Sequence, residues 1–272
     1  MVEGHRPANT RRSAAWRRAV ARAGCGLAGL LTAVLLSPVA HADPRLPGNF
    51  VYLRDIDPTI RQDMRYATAD NFVGRPLPGY EAGECILRRP VALALKRAQA
   101  DLAPRNLGLK VYDCYRPTRA VAAMVRWSRS VGSWPDTSRF HPSLNKGRLF
   151  LLGYISRTSA HSRGIAVDVT LVPRDASPPA PFDPNAQYGA CTGPASERAP
   201  DNSLDMGTGY DCFDVSSHTR HPSITAEQKA NRTILVEALA RRGFSNYRRE
   251  WWHFSFPGAD DRTAYNFPIG PR

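Results

Sequence analysis

Cysteine is scarce and scattered in this sequence, which has five cysteines among 272 residues and no C-x-x-C pair. Zinc sites built on thiolates usually contain such closely spaced pairs, so we exclude a thiolate zinc site. Lysine and arginine give a net charge of +13, yet no basic run with interleaved aromatic residues occurs, which argues against a nucleic-acid partner. Internal repeats are also missing, which excludes a solenoid or propeller architecture.

The first 42 residues have the pattern of a secretory signal peptide. They combine a basic start at Arg11–Arg18, an apolar stretch at Gly26–Val39, and the small-residue site Ala40-His41-Ala42 for cleavage before Asp43. The apolar stretch is shorter than the roughly 20 residues that span a bilayer, so we expect cleavage and no stable membrane anchor. We therefore predict a protein that is secreted, periplasmic or associated with the cell wall.

Residues 43–272 would form the mature protein. The removed segment holds six Arg and one Glu, so the net charge would fall from +13 to +8. A chain of this length suits one domain, and its positive charge would favour association with anionic cell-wall polymers. Residues 173–204 contain seven prolines and no periodicity, so we expect an irregular insertion within that domain.

The apolar spacing predicts both helices and strands. Helices are expected at 88–102, from Pro117 onwards, and from the capping box Thr225-x-x-Gln228 to Gly243. Strands are expected at 109–113, 165–172 and 254–256. In the second strand Asp168 stands among apolar residues, and a buried carboxylate needs a partner. The elements together indicate an α+β domain with a central antiparallel sheet flanked by helices.

Four cysteines remain after the predicted cleavage: Cys85, Cys114, Cys191 and Cys212. An even number in an exported chain indicates two disulfides, for which three connectivities are possible. We favour Cys85–Cys114, which would tie the start of the first helix to the strand before Arg116. Cys191–Cys212 would then close the insertion.

Two histidines and one aspartate give the clearest chemical signal. His161 and Asp168 are seven positions apart, and His253 follows in Glu250-Trp-Trp-His253. Two imidazoles and one carboxylate form a three-ligand zinc set that leaves a fourth position for water. Seven extended residues would span about 23 Å, so the chain must turn, and Gly164 is best suited to that turn. We predict one Zn²⁺ per chain.

Glu250 and Arg116 are the candidate catalytic residues. Glu250 is three positions before His253, so it must lie in the turn before the strand, or at a bulge, to reach the same cavity. There it could take a proton from metal-activated water as the general base. Arg116 follows a predicted strand and could stabilise the oxyanion formed when water adds to a peptide carbonyl. The alternatives are a surface glutamate and an ordinary arginine at a helix start.

The motifs resemble those of the VanX-type D-alanyl-D-alanine dipeptidases, zinc peptidases whose fold is shared with D,D-carboxypeptidases and the hedgehog signalling domain. The matching segments are Met64-Arg-Tyr66, Asp113-Cys-Tyr-Arg116-Pro, Ser159-x-His161-Ser-Arg-Gly-x-Ala-Val-Asp168, Met206-Gly-Thr-Gly-Tyr-Asp211 and Glu250-Trp-Trp-His253. The resemblance implies the zinc ligands, base and arginine given above. It adds Tyr66, Ser159 and Asp211 as residues that hold the amino end of the substrate.

The resemblance implies hydrolysis of the D-Ala-D-Ala dipeptide to two D-alanines by an exported enzyme. Two departures from the family pattern bear on this expectation: many such dipeptidases act in the cytoplasm, and the insertion enlarges the segment before Met206. Two alternatives remain open, a D,D-carboxypeptidase acting on peptidoglycan stem peptides and a non-catalytic, zinc-stabilised cell-wall binding module. Glu250 and Arg116 argue against the binding module, because a structural zinc site needs neither.

Overall fold

The computed structural model describes residues 46–132, 135–259 and 262–272, so the predicted signal peptide lies outside the described residues. The helices and strands of the described part are, in chain order, β1 (Phe50–Tyr52), α1 (Leu53–Ile56), β2 (Arg61–Gln62), β3 (Ile86–Arg88), α2 (Arg89–Leu102), β4 (Leu107–Asp113), α3 (Thr118–Arg129), β5 (Ala166–Pro173), α4 (Ala226–Ala240), β6 (Ser245–Asn246) and β7 (His253–Ser255). No helix in these ranges has the length and apolar character needed to cross a bilayer.

Five strands form the central sheet in the order β2-β4-β5-β7-β6, and β1 pairs separately with β3. The predicted α+β class is confirmed. The sheet is antiparallel except at one edge, where β2 runs parallel to β4 and makes the sheet mixed. The reason is the connection between these strands, because a crossover through α2 returns the chain in the same direction.

The central strand β5 is buried on both faces, since residues 166–172 are all buried. On one face Val167, Val169 and Leu171 pack in the main hydrophobic core, to which α2 and α4 also contribute. On the other face the hydroxyl of Tyr210 donates a hydrogen bond of 2.9 Å to Asp168. The hydroxyl of Tyr210 is therefore one partner of this buried carboxylate.

Helix boundaries follow the predicted signals closely. Helix α2 has Pro90 in its first turn, and its apolar stripe is fully buried. The predicted capping box begins α4. The hydroxyl of Thr225 accepts from the backbone amide of Gln228, and the side chain of Gln228 accepts from the backbone amide of Thr225. Helix α4 ends at Ala240, three residues before Gly243 takes up a left-handed conformation.

Both predicted disulfides are present. Cys85–Cys114 joins the residue before β3 to the residue after β4, and Cys191–Cys212 closes the end of the insertion. The first bond is completely buried, and its Cys114 lies two residues before Arg116. It therefore fixes the segment from which the candidate catalytic arginine extends.

The insertion is attached to the sheet through a cluster of charged residues around Asp201. This carboxylate accepts hydrogen bonds from Lys110 (2.7 Å), Arg65 (3.1 Å) and the Tyr112 hydroxyl (2.6 Å). Arg65 is itself buried and also pairs with Asp70. An irregular, proline-rich segment thus has one well-defined anchor on β4.

Candidate active site

The strand register brings three of the site residues into one row. Asp113 of β4 lies opposite Asp168 of β5, and Asp168 lies opposite His253 of β7. The β4–β5 register shifts between Val111 and Asp113, which indicates a bulge at the end of β4. The sheet therefore assembles this part of the site from residues that are far apart in the sequence.

His161 reaches the same place from a short turn, His161–Arg163, that precedes β5. Gly164 then reverses the chain with a φ of +70°, as predicted. A Cβ atom at this position would lie 2.2 Å from the ring of Phe50, so a side chain here would displace the turn. The glycine is therefore what allows His161 to fold back over Asp168.

The three candidate ligand atoms form a compact triangle. His161 Nε2 lies 3.1 Å from His253 Nδ1, His253 Nδ1 lies 3.0 Å from Asp168 Oδ1, and His161 Nε2 lies 3.3 Å from Asp168 Oδ1. Tetrahedral bonds of about 2.0–2.1 Å would place neighbouring ligand atoms about 3.3 Å apart, so the donor set fits zinc. Within the described residues, this is the cluster that could hold a metal ion.

Neighbouring groups orient these ligands. The Nδ1 of His161 lies 2.7 Å from the carbonyl oxygen of Cys114, a position in which it donates and leaves Nε2 free for an ion. Tyr210 holds the other oxygen of Asp168. Both contacts are of the kind that supports ligands in metalloenzymes.

Glu250 lies in the turn before β7, as its spacing from His253 requires. Its backbone amide donates to the carbonyl of Tyr247, and its carboxylate approaches His253 Nδ1 to 4.0 Å. Burial raises the pKa of the Glu250 carboxyl above its usual value, the charges of Asp168 and Asp211 raise it further, and Arg116 opposes them. A carboxyl in such an environment is suited to accept a proton near neutral pH.

Arg116 is held on several sides. Its Nε and Nη2 atoms lie 2.9 and 2.8 Å from Asp113 Oδ2, and its Nη2 lies 3.6 Å from Asp168 Oδ2. The guanidinium also stacks over the ring of Tyr66 at 4.9 Å, and the backbone amide donates to the carbonyl of His161. This arrangement fixes a positive charge beside the candidate metal ligands.

Tyr66, Ser159 and Asp211 line the same cavity, which has a volume of about 430 Å³. The Tyr66 hydroxyl donates a hydrogen bond of 2.7 Å to Asp211, and Ser159 Oγ accepts from the backbone amide of His161 at 3.2 Å. Burial, with the charge of Asp168 next, raises the pKa of Asp211 to about 8. A cation bound beside this buried carboxyl would favour its ionised form, so Asp211 could pair with a cationic group.

The structure also shows cavity residues that the sequence did not reveal. Phe150, Tyr154 and Ile155 line the cavity and belong to the irregular segment before Ser159. Their segment has neither periodicity nor a motif, so nothing local marked them. Tyr210 could have been found, because it stands next to Asp211 in the Met206-Gly-Thr-Gly-Tyr-Asp211 motif.

The sequence matches the peptidase M15 family, described as D-Ala-D-Ala dipeptidase, over residues 48–181 and 196–269. The chain belongs to this family. It is 33% identical over 227 residues to a D-alanyl-D-alanine dipeptidase of Streptomyces coelicolor, a match that covers 82% of this chain and all of the relative. Similar matches are found with dipeptidases of the same name from Enterococcus faecalis (32% identity; 82% of this chain and all of the relative) and Escherichia coli (31%; 77% and 85%).

Membership of this family makes the protein an enzyme, a metallopeptidase. The family match leaves residues 182–195 unaligned, and these residues lie within the proline-rich segment before Met206. Every candidate site residue falls inside the aligned ranges. The site is therefore built from the part of the chain that this family shares.

Proposed function

We propose that this protein is a zinc-dependent dipeptidase that hydrolyses D-Ala-D-Ala to two D-alanines. The observation that carries the proposal is the triangle of His161, Asp168 and His253 with Glu250 and Arg116 beside it in one cavity. The names of the curated relatives support the same substrate. A structural metal site would need no buried base and no fixed arginine, so catalysis is the better explanation.

His161, Asp168 and His253 would hold the metal. When bound, zinc supplies a Lewis acid that lowers the pKa of water and polarises a carbonyl. Glu250 would accept a proton from the attacking water at its carboxylate and pass it to the leaving amine. Its burial, which raises its pKa, would help it act in both directions at neutral pH.

Arg116 would stabilise the negative charge that develops on the carbonyl oxygen. Its position is set by Asp113 before substrate arrives, so little reorganisation would be needed during the reaction. Such preorganised donors commonly contribute about 10²–10³ in kcat.

Asp211 and Tyr66 would recognise the free ammonium group of the dipeptide. A charge-assisted hydrogen bond to a carboxylate is about twice as strong as a neutral one. A D,D-carboxypeptidase would not use this carboxylate, because its substrate continues there as a neutral amide. The buried Asp211 therefore favours a dipeptide over a stem peptide.

Product analysis of the zinc-loaded protein tests this proposal. Free D-Ala-D-Ala and a stem pentapeptide ending in D-Ala-D-Ala should be supplied separately at equal concentration. We expect D-alanine to be released much faster from the dipeptide. Preferential release from the pentapeptide would favour the carboxypeptidase, and release from neither would overturn the proposed activity.

We also propose that the enzyme is exported after cleavage before Asp43. Two disulfides support this, because such bonds persist mainly in oxidising compartments. The mature protein recovered from outside the cytoplasm should begin near Asp43 and contain no free thiol. An intact N-terminus on cytoplasmic protein would overturn export.

A further inference from the structure

We propose that Tyr80 and Asp113 are positioning residues of this active site. In this arrangement Tyr80 fixes the carboxylate of Asp113, and Asp113 fixes both Arg116 and His161. The inference rests on the proposed function of the site. Neither residue lines the cavity, and neither would touch the substrate.

Asp113 is completely buried at the end of β4. One of its carboxylate oxygens, Oδ2, accepts from both Nε and Nη2 of Arg116, at 2.9 and 2.8 Å. The same oxygen lies 3.3 Å from Nδ1 of His161, whose main hydrogen bond is to the Cys114 carbonyl. A single carboxylate therefore contacts the candidate catalytic arginine and a candidate metal ligand.

The other oxygen of Asp113, Oδ1, accepts a hydrogen bond of 2.6 Å from the Tyr80 hydroxyl. Tyr80 is itself buried, and the chain around it is clamped by the C-terminal segment. The backbone of Ile269 accepts from Glu81 and donates to Gly79, so the tyrosine cannot easily withdraw. The two oxygens of Asp113 are thus held from opposite sides, which fixes the rotation of its carboxylate plane.

The geometry indicates what this restraint accomplishes. Arg116 Nη2 lies 2.8 Å from Asp113. It also lies 3.6 Å from Asp168, the central candidate ligand, which is close enough to attract it. If Asp113 rotated away, the guanidinium would be drawn to Asp168 and would compete with the metal for its charge. Asp113 therefore keeps Arg116 directed at the position of the carbonyl oxygen and off the ligand. Tyr80 keeps Asp113 in the orientation that does so.

Three single variants and the Tyr80→Phe/Asp113→Asn double variant test this chain of contacts. Tyr80→Phe removes the hydroxyl that reaches Asp113, and Asp113→Asn keeps the size while it removes the charge that holds Arg116. Tyr115→Phe is the matched control, because it removes a buried tyrosine hydroxyl that instead bonds to the carbonyl of Phe267. The measurements are kcat and KM of the zinc-loaded enzymes on D-Ala-D-Ala, thermal stability, and zinc affinity by competition with a chelator.

We expect Tyr80→Phe to lower kcat about 10-fold and Asp113→Asn about 100-fold, the range found for residues that support ligands and catalytic groups. KM should stay within about twofold, because the contact acts on the transition state. Asp113→Asn should also weaken zinc binding about 10-fold. The double variant should lose no more kcat than Asp113→Asn, because both act through one carboxylate.

An equal loss of kcat in Tyr80→Phe and Tyr115→Phe, accompanied by equal losses of stability, would mean a merely structural role and overturn the proposal. So would unchanged kcat and zinc affinity in Tyr80→Phe. If Asp113→Asn does not fold, Tyr80→Phe alone decides. If the parent enzyme binds zinc but does not cleave D-Ala-D-Ala, the proposed function fails. Zinc affinity then still decides the positioning role, which is overturned if Asp113→Asn binds zinc as the parent does.

Discussion

Asp168 and His253 are direct partners across two neighbouring strands, with Oδ1 of the first 3.0 Å from Nδ1 of the second. Their positions in the sequence say nothing about this contact; the register of β5 against β7 determines it. A slip of one residue would turn one of the two side chains to the opposite face of the sheet. The candidate metal site and the sheet register therefore depend on each other.

The first prediction is that one substitution removes both the metal and the activity, whereas another removes the activity alone. His161→Ala should lose both zinc and activity, because two ligands cannot complete the tetrahedron. Glu250→Gln should keep zinc but lose at least about 10²-fold in kcat, since the base is gone while the ligands remain. Metal content of the purified variants and kcat on D-Ala-D-Ala are the measurements.

The control for these variants is His218→Ala, which removes an imidazole outside the described cluster and should keep both zinc and activity. Full zinc retention by His161→Ala, Asp168→Ala and His253→Ala alike would show that these residues do not form the site.

The turn at Gly164 provides a second prediction, with a control glycine that has the same φ. Gly164 and Gly132 both have a φ of +70°, but a Cβ would meet Phe50 at the first and nothing within 4 Å at the second. Gly132→Ala should cost about 1–2 kcal/mol of unfolding free energy, the penalty of a left-handed alanine. Gly164→Ala should cost a further ~1–3 kcal/mol from overpacking.

Gly164→Ala should also lower zinc affinity, because His161 belongs to the turn that must move. Chemical denaturation and chelator competition measure the two effects. Equal destabilisation by both substitutions would refute the close approach of Phe50.

The three candidate ligands could be named from the sequence because their residue types and the turn at Gly164 stand in short motifs, but the contact between Asp168 and His253 depends on the strand register. The capping box at Thr225 was predictable because it rests on residue type and spacing. The number of disulfides followed from the cysteine count, but their pairing was one of three possible connectivities and depends on the fold. The parallel edge strand β2 was not, because two residues carry no periodicity. The contact between Tyr80 and Asp113 was not either, since it joins a loop to a strand end through the tertiary fold alone.

The anchor of the insertion supplies a third prediction, which concerns acid stability. Burial alone would raise the pKa of the Asp201 carboxyl, but the charges of Lys110 and Arg65 hold this pKa well below its usual range. A depressed folded-state pKa stabilises the fold above the unfolded value of about 3.9, and this contribution is lost as pH falls below it. Asp201→Asn should therefore cost about 1 kcal/mol at pH 7, because the residue is partly exposed and solvent screens its ion pairs.

The difference between the parent and Asp201→Asn should shrink as the pH is lowered from about 5 towards 2. Urea denaturation at several pH values measures it. Asp183→Asn, in an exposed part of the same insertion, should have little effect at any pH. A constant difference across this pH range would mean that Asp201 does not act through its charge.

The last prediction distinguishes recognition of a free dipeptide from recognition of a longer peptide. If Asp211 binds the substrate ammonium, N-acetylation of D-Ala-D-Ala should lower kcat/KM by at least about 10²-fold, because the neutral amide cannot form the ion pair with Asp211. Acetylation also adds bulk, so the effect must be measured again in Asp211→Asn. In that variant the free dipeptide should be cleaved poorly, and acetylation should cost much less than in the parent.

The variant should fold at least as stably, because burial already raises the pKa of Asp211 to about 8 and the amide carries no charge. Its zinc content should be unchanged. Comparable rates on the acetylated and free dipeptides in the parent enzyme would instead favour a D,D-carboxypeptidase, in which Asp211 serves the local fold beside Cys212.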